Sequence, residues 1–160
     1  MKLDPYESIG FHCNITLKVF LSALGDKLKG TGISPSQFLA LANLTAFGPL
    51  SQSELAERLS ITGATTARLI DRLERDEWVR RERDPDDQRI KMVIPTDKAA
   101  GIWEEISQTG REVLNQAYQG ISPEELETVK RVLKHIRKNL ANSRGNQPID
   151  PLPIEKGDPE

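Results

Sequence analysis

Eight of the chain's twelve arginines lie between Arg58 and Arg89, and a run of small hydroxylated residues sits among them. A guanidinium presents a planar fork of donors that fits a phosphate, or the O6 and N7 edge of guanine. Thr62, Gly63, Ala64, Thr65 and Thr66 are short enough to bring a backbone close to a groove floor. Threonine there offers a hydroxyl to bases or phosphates and a methyl to thymine. Thr65, Arg68, Arg72 and Arg75 recur at intervals of three and four, which puts them on one stripe of a helix. Arg68 and Arg72 are thereby placed to reach base edges or phosphates. Asp87 lies two residues before Arg89, near enough to hold its guanidinium by a salt bridge and preset its direction. A narrow hairpin tip carrying such an arginine fits the minor groove, where the side chain senses groove width. Arg81, Arg83 and Lys91 read as phosphate contacts around that tip. Ser51 and Gln52, at the start of the preceding helix, complete the set expected to meet duplex DNA.

Presenting these side chains takes a helix, a turn, a second helix and a β-hairpin, and 51–96 is patterned in that order. Ser51-Gln52-Ser53-Glu54 is a capping box, with Leu55, Ala56 and Leu59 inward behind it. After Ser60-Ile61-Thr62-Gly63, a helix over 63–76 is predicted, with Thr62 as its cap and Ala67, Leu69, Ile70 and Leu73 inward. Residues 79–83 and 90–94 are β-like, the second with Ile90, Met92 and Ile94 alternating. Asp84-Pro85-Asp86-Asp87-Gln88 between them is rich in turn formers. A short helix, a helix polar at its start and a basic two-stranded wing are the usual device for reading duplex DNA.

The flanks are helical. Residues 5–29 carry Leu17, Phe20, Leu21, Leu24 and Leu28 at helical spacing, ended by Gly30-Thr31-Gly32. Ser34-Pro35-Ser36-Gln37 caps a second helix reaching Phe47, whose apolar residues (Phe38, Leu39, Leu41, Leu44) lie on more than one side and place it at the centre. Thr96-Asp97 caps a long helix to Gln119, in which Trp103, Ile106, Gly110, Val113 and Ala117 repeat at three-four spacing. Gly110 costs about 1 kcal/mol against alanine there, and allows another helix to approach closely. Ser122-Pro123-Glu124-Glu125 opens a last helix to Ala141, with Leu126, Val129, Val132, Leu133, Ile136 and Leu140 on its apolar side. The tail 143–160 holds four of the ten prolines and no helical period, so it is expected to be disordered. The expected class is mainly α with a small β-hairpin wing (α+β). A winged helix-turn-helix lobe at 34–96 lies between dimerisation helices at 5–33 and 97–142, within one domain, 1–142.

The net charge of −2 does not oppose DNA binding, because affinity follows the cations that meet phosphates locally. Residues 58–91 carry nine basic against eight acidic residues, the acidic ones falling largely at 74–77 and at the hairpin tip. No apolar run approaches the ~20 residues of a membrane span and the N-terminus lacks the order of a signal peptide, so no membrane role and a cytoplasmic location are expected. Two histidines and one cysteine make a dedicated zinc cage a poor fit, and no cofactor is expected. The chain offers no glycine-rich phosphate loop and no nucleophile–histidine–carboxylate set, which argues against an enzyme.

The segment SELAERLSITGATTARLIDRLERDEWVRRERDPDDQRIKMVIPT resembles the MarR family of winged-helix transcriptional regulators, with Asp87-x-Arg89 followed by Thr96 as the wing signature. The resemblance spans residues 10–140. It implies a homodimer with interlocking terminal helices on a pseudo-palindromic operator. It also implies a repressor released by a small anionic or phenolic effector, or by oxidation of a cysteine, with the effector cleft between dimerisation helices and DNA-binding lobe. Trp103 and Tyr118 fit the wall of such a cleft or the core equally. Two features depart from the family. Glu77 stands where a glycine is common, so it must take an unusual backbone conformation or change the turn. Cys13 lies about one helical turn nearer the second helix than the cysteine of the family's peroxide sensors, and Phe38 replaces a tyrosine of those sensors. Cys13 also shares the stripe Ile9, Cys13, Leu17, Phe20 and Leu24, which reads as a small buried apolar residue. A redox regulator using Cys13, and a winged-helix adaptor or anti-repressor that binds protein, stand as alternatives.

Overall fold

The computed structural model describes residues 4–142; the expected disorder of 143–160 lies outside the described residues. After a 3₁₀ turn at Pro5–Glu7 come α1 (Ile9–Lys27), α2 (Pro35–Phe47), β1 (Leu50–Ser51), α3 (Gln52–Leu59) and α4 (Gly63–Arg75). Then follow β2 (Val79–Arg83), β3 (Lys91–Pro95), α5 (Asp97–Ala117) and α6 (Pro123–Asn142).

Helix starts are set by their caps. Ser34 and Gln37 exchange both capping-box hydrogen bonds, as do Ser51 and Glu54. Ser122 donates its N–H to the Glu125 carboxylate while its hydroxyl accepts the Glu125 N–H. Thr62 and Thr96 each accept the N–H three residues on. Each such cap is worth about 1 kcal/mol, because it satisfies a donor that the helix cannot. The first helix begins later than the hydrophobic spacing suggests, at Ile9, because Ser8 is extended (φ −86°, ψ 121°).

The sheet is antiparallel in the order β1-β3-β2. Two-residue β1 pairs Leu50 with Val93 and Ser51 with Met92, joining the wing to the start of α3. It is too short to leave any period in the sequence. In β3 the alternation has the opposite parity to the one expected: Val93 is buried at 1% exposure, and Ile90 is 41% exposed. Val93 lies opposite Arg81 on β2 and Leu50 on β1, so that face looks inward.

The core is built around α2. Its Ala40, Leu41 and Leu44 meet Leu55 of α3, Leu69, Ile70 and Leu73 of α4, Val79 and Val93 of the sheet, and Ile106 of α5 in one buried cluster. Each large side chain buried this way contributes about 1.5–3 kcal/mol. On α5, Gly110 takes the Phe38 ring from α2 so closely that a Cβ there would lie 2.7 Å from Phe38 Cζ. The close helix approach expected at Gly110 is therefore made by α2. The terminal helices are different. Ile9, Leu17 and Val19 of α1 and Val129, Val132 and Leu140 of α6 are exposed. Cys13 is exposed as well, so the expectation of a buried Cys13 is corrected for the single chain: its stripe turns inward only at Leu24.

Glu77, between α4 and β2, has φ +61°, the left-handed conformation. A side chain there costs roughly 1–2 kcal/mol relative to the right-handed region, and glycine escapes the penalty. Its side chain makes only a long exposed approach to Lys98, 3.7 Å away. Glu77→Gly is therefore expected to raise stability by about 0.5–1 kcal/mol, the strain relief being partly offset by added freedom in the unfolded chain. Urea unfolding of the two proteins checks this, and a destabilised Glu77→Gly would sink the strain argument.

Candidate nucleic-acid interface

α4 presents the threonine–arginine stripe. Thr62 Oγ1 accepts the Thr65 N–H at 3.3 Å and lies 2.9 Å from Thr65 Oγ1. Gly63, Ala64, Thr65, Arg68 and Arg72 are exposed, and Thr65, Arg68, Asp71 and Arg72 line one shallow surface cleft. Thr66 does not belong to this face. It is completely buried, and its Oγ1 donates to the Thr62 carbonyl at 3.0 Å. One residue after Thr65 on a helix means a rotation of about 100°, which turns Thr66 into the core with its hydroxyl satisfied by backbone. The expected DNA contact at Thr66 is corrected accordingly. Ser51 spends its hydroxyl on the Glu54 N–H, and Gln52 reaches the Gly63 carbonyl at 3.5 Å, linking the starts of α3 and α4.

The wing tip is organised by two aspartates. Asp84 Oδ1 accepts the N–H groups of Asp86 (2.8 Å) and Asp87 (3.0 Å). Asp87 then grips Arg89 as the two-residue spacing predicts: Oδ1 accepts Arg89 N–H and Nε–H, both at 3.0 Å, and Oδ2 accepts Nη2–H at 3.1 Å. The hydrogen bond from Arg89 holds the Asp87 carboxyl below the usual carboxylate range, so the pair is intact at neutral pH and is lost only as pH falls through that lowered pKa. The Arg89 side chain nonetheless stays 91% exposed. Arg83 and Lys91 are exposed and sit directly opposite each other on the ladder. Like charges so paired destabilise a sheet, so this placement is understandable where an anion bridges them.

Arg81 departs from the expected role of phosphate contact. Its Nη2 donates to Asp71 at 2.6 Å and its Nη1 to Glu74, both on α4, and its backbone N–H also donates to Glu74 at 3.2 Å. The side chain is only 21% exposed. Arg81 is thus a clip fastening β2 to the recognition helix. The signal lay in strand parity: Arg81 shares a face with buried Val79 and lies opposite buried Val93. Asp71 and Glu74 were not among the residues singled out from sequence.

Two other groups were anticipated. Trp103 lines an apolar cleft between α1, α2 and α5 of about 360 Å³, whereas Tyr118 caps the end of α5 outside that lining. Near Cys13, Tyr6 is 71% exposed with its ring edge-on to Phe11, and its carbonyl lies 2.7 Å from His12 Nε2. Among the described residues, no three His, Cys, Asp or Glu side chains converge as a metal site, and no helix is long and apolar enough to cross a membrane.

A capped recognition helix fastened to a hairpin wing, with a third short strand at the base, defines a winged helix-turn-helix protein. The MarR family model matches residues 33–91. The chain is 30% identical over 131 residues to the uncharacterized HTH-type transcriptional regulator YfiV of Bacillus subtilis, covering 80% of this chain and 82% of that one. It is 29% identical over 100 residues to the HTH-type transcriptional repressor MdtR of the same species, covering 62% and 64%. Its fold matches a mutant MarR from E. coli complexed with operator DNA, with TM-score 0.72 and 25% identity over 80% of this chain and 92% of that one. The chain belongs to the MarR family of transcriptional regulators.

The clip role of Arg81 separates it from its neighbour on the same strand. Arg81→Gln is expected to lower stability by about 1 kcal/mol, a value kept small by the exposure of both carboxylates. Arg83→Gln is expected to leave stability within about 0.5 kcal/mol. Equal urea midpoints for the two variants would remove the clip.

Proposed function

We propose that the chain is a dimeric repressor that occupies an inverted-repeat operator and releases it when a small ligand enters the cleft between α1, α2 and α5. The observation that carries the DNA reading is the pairing of an exposed Thr65–Arg68–Arg72 stripe on α4 with an exposed Arg89 whose fork is pre-aimed by Asp87. Gly63 and Ala64 leave the start of α4 bare enough to enter a major groove, with Thr62 and Thr65 supplying hydroxyls. Arg68 and Arg72 reach base edges or phosphates, Arg83 and Lys91 take phosphates, and Arg89 enters the minor groove. Ser51 and Gln52 approach a phosphate from the start of α3, where the helix dipole favours an anion. The protein acts in the cytoplasm by binding rather than by catalysis.

Dimerisation is supported by the apolar residues that α1 and α6 leave exposed, since two copies can bury them against each other. The negative sense of regulation follows the named repressor MdtR. For the effector, the stacked Phe38 and Trp103 rings, 5.7 Å apart at 28°, offer an aromatic wall, and Arg111, paired with Glu104 at 2.8 Å, supplies a cation at the edge of a mostly apolar lining. A small aromatic acid or phenol suits both. Cys13 is an exposed free thiol, the one residue on which the redox alternative rests.

Two measurements test this. Selection from a random duplex pool is expected to recover an inverted repeat with half-sites roughly one helical turn apart. Arg89→Ala should then lose about 5–150-fold in affinity and reduce the salt slope by about one. No enrichment at low salt would favour the protein-binding adaptor. Sedimentation should give a dimer at micromolar concentration; a stable monomer would end the dimer proposal.

A further inference from the structure

Two adjacent residues of α2 face the cleft and the recognition helix respectively. Phe38 walls the cleft, stacked on Trp103 and pressed against Gly110. Gln37 is 5% exposed, and both ends of its amide are used. Its Oε1 accepts the Ser34 N–H at 2.9 Å, and its Nε2 donates to Asp76 Oδ2 at 3.0 Å. Asp76 is the residue that closes α4. The hydrogen bond from Arg75 holds its carboxyl below the usual range, so it meets Gln37 as an anion and only accepts. The same joint is held from α5: Lys98 Nζ donates to the Asp76 carbonyl at 2.8 Å, and Thr96 Oγ1 donates to the Glu77 carbonyl at 2.7 Å. The end of α4 is therefore gripped by α2 and by the start of α5, two of the three helices that line the cleft.

We propose that the Gln37–Asp76 hydrogen bond is the positioning contact that sets α4 against α2, and that a ligand displacing Phe38 acts on the recognition helix through it. The second half rests on the effector reading of the cleft; the first does not. A rigid helix passes a shift of one side chain to its neighbour because packed cores move as bodies rather than deforming continuously. Gln37 itself touches neither cleft nor DNA-facing stripe, so its effect on DNA is through Asp76.

A double-mutant cycle on the selected operator duplex tests the proposal without any ligand. Gln37→Glu keeps the acceptor that the Ser34 cap needs but replaces the donor to Asp76 with a second carboxylate. Operator affinity should fall about tenfold, in the range of a typical coupling. Adding Asp76→Asn restores a donor–acceptor pair in the reverse sense and should bring affinity back to within about threefold. Asp76→Asn alone keeps an oxygen for Gln37 and should stay near wild type. Gly110→Ala pushes on Phe38 in place of a ligand; it should weaken binding alone but add no loss in the Gln37→Glu background. Where Gln37→Glu does not fold, Gln37→Met, which removes donor and acceptor without adding charge, replaces it and is paired with Asp76→Ala: each alone should weaken binding, and the pair should add no further loss. Losses that multiply, or a Gln37→Glu defect that Asp76→Asn does not rescue, overturn the positioning role. If rescue holds but Gly110→Ala leaves affinity unchanged, the positioning role stands and the effector reading of the cleft falls.

Discussion

The burial of α2 on several sides is the constraint on which the other elements depend. Ala40, Leu41 and Leu44 are exposed by no more than 1%, and the helix packs on α1, α3, α4, α5 and β3. A helix packed on five neighbours cannot rotate without opening a void, and voids cost several kcal/mol at this size of side chain. The recognition helix, the short strand that begins α3 and the first turn of α5 all take their positions from it. The two side chains at its entrance, Gln37 and Phe38, are consequently in fixed places, which is why one can end a hydrogen bond at α4 and the other can tolerate so little space beside Gly110.

Electrostatics divides the arginines into two populations. Arg75, Arg80 and Arg81 are matched with Asp76, Glu82, Asp71 and Glu74, so their charge is spent inside the molecule. Arg68, Arg72, Arg83 and Arg89 stand on the exposed side of α4 and the wing. That division explains how a chain of net charge −2 can still present a cationic face: four of the eight acidic residues in 58–91 (Asp71, Glu74, Asp76 and Glu82) lie beside structural arginines. Arg89 combines both modes, because its carboxylate partner fixes its direction without covering it.

Much of this was legible in the sequence, for physical reasons that can be named. Helix starts were readable because capping boxes are local: Ser34 with Gln37, Ser51 with Glu54 and Ser122 with Glu125 need only four consecutive residues. The Asp87–Arg89 fork was readable for the same reason, and of the two outcomes that the family's glycine implies at Glu77, an unusual conformation or a changed turn, the backbone takes the first. What was not legible depended on partners distant in sequence. β1 is defined by its pairing with residues more than forty positions away. The parity of β3 is not legible because Ile90, Met92 and Ile94 alternate around the buried Val93, and the deeper residue is decided by where β1 and β2 lie. Arg81 and Thr66 pattern as surface groups because a polar residue gives no local sign that its partners are a neighbouring helix or its own backbone. Gln37 was read only as half of a cap, and its second bond spans 39 positions.

The position of α6 has a further consequence, for how the molecule opens. Every fully buried hydrophobic residue among the described ones lies between Leu24 and Val113, so α6 adds nothing to that interior. A helix with little apolar cover opens locally at low free-energy cost, independently of the core. Its amides should exchange with solvent quickly in an isolated chain and slowly under any body that covers the Val129–Val132–Leu140 face. The last helix is thereby a built-in reporter of occupancy: its exchange rate registers association, while the amides of α2 register only global unfolding.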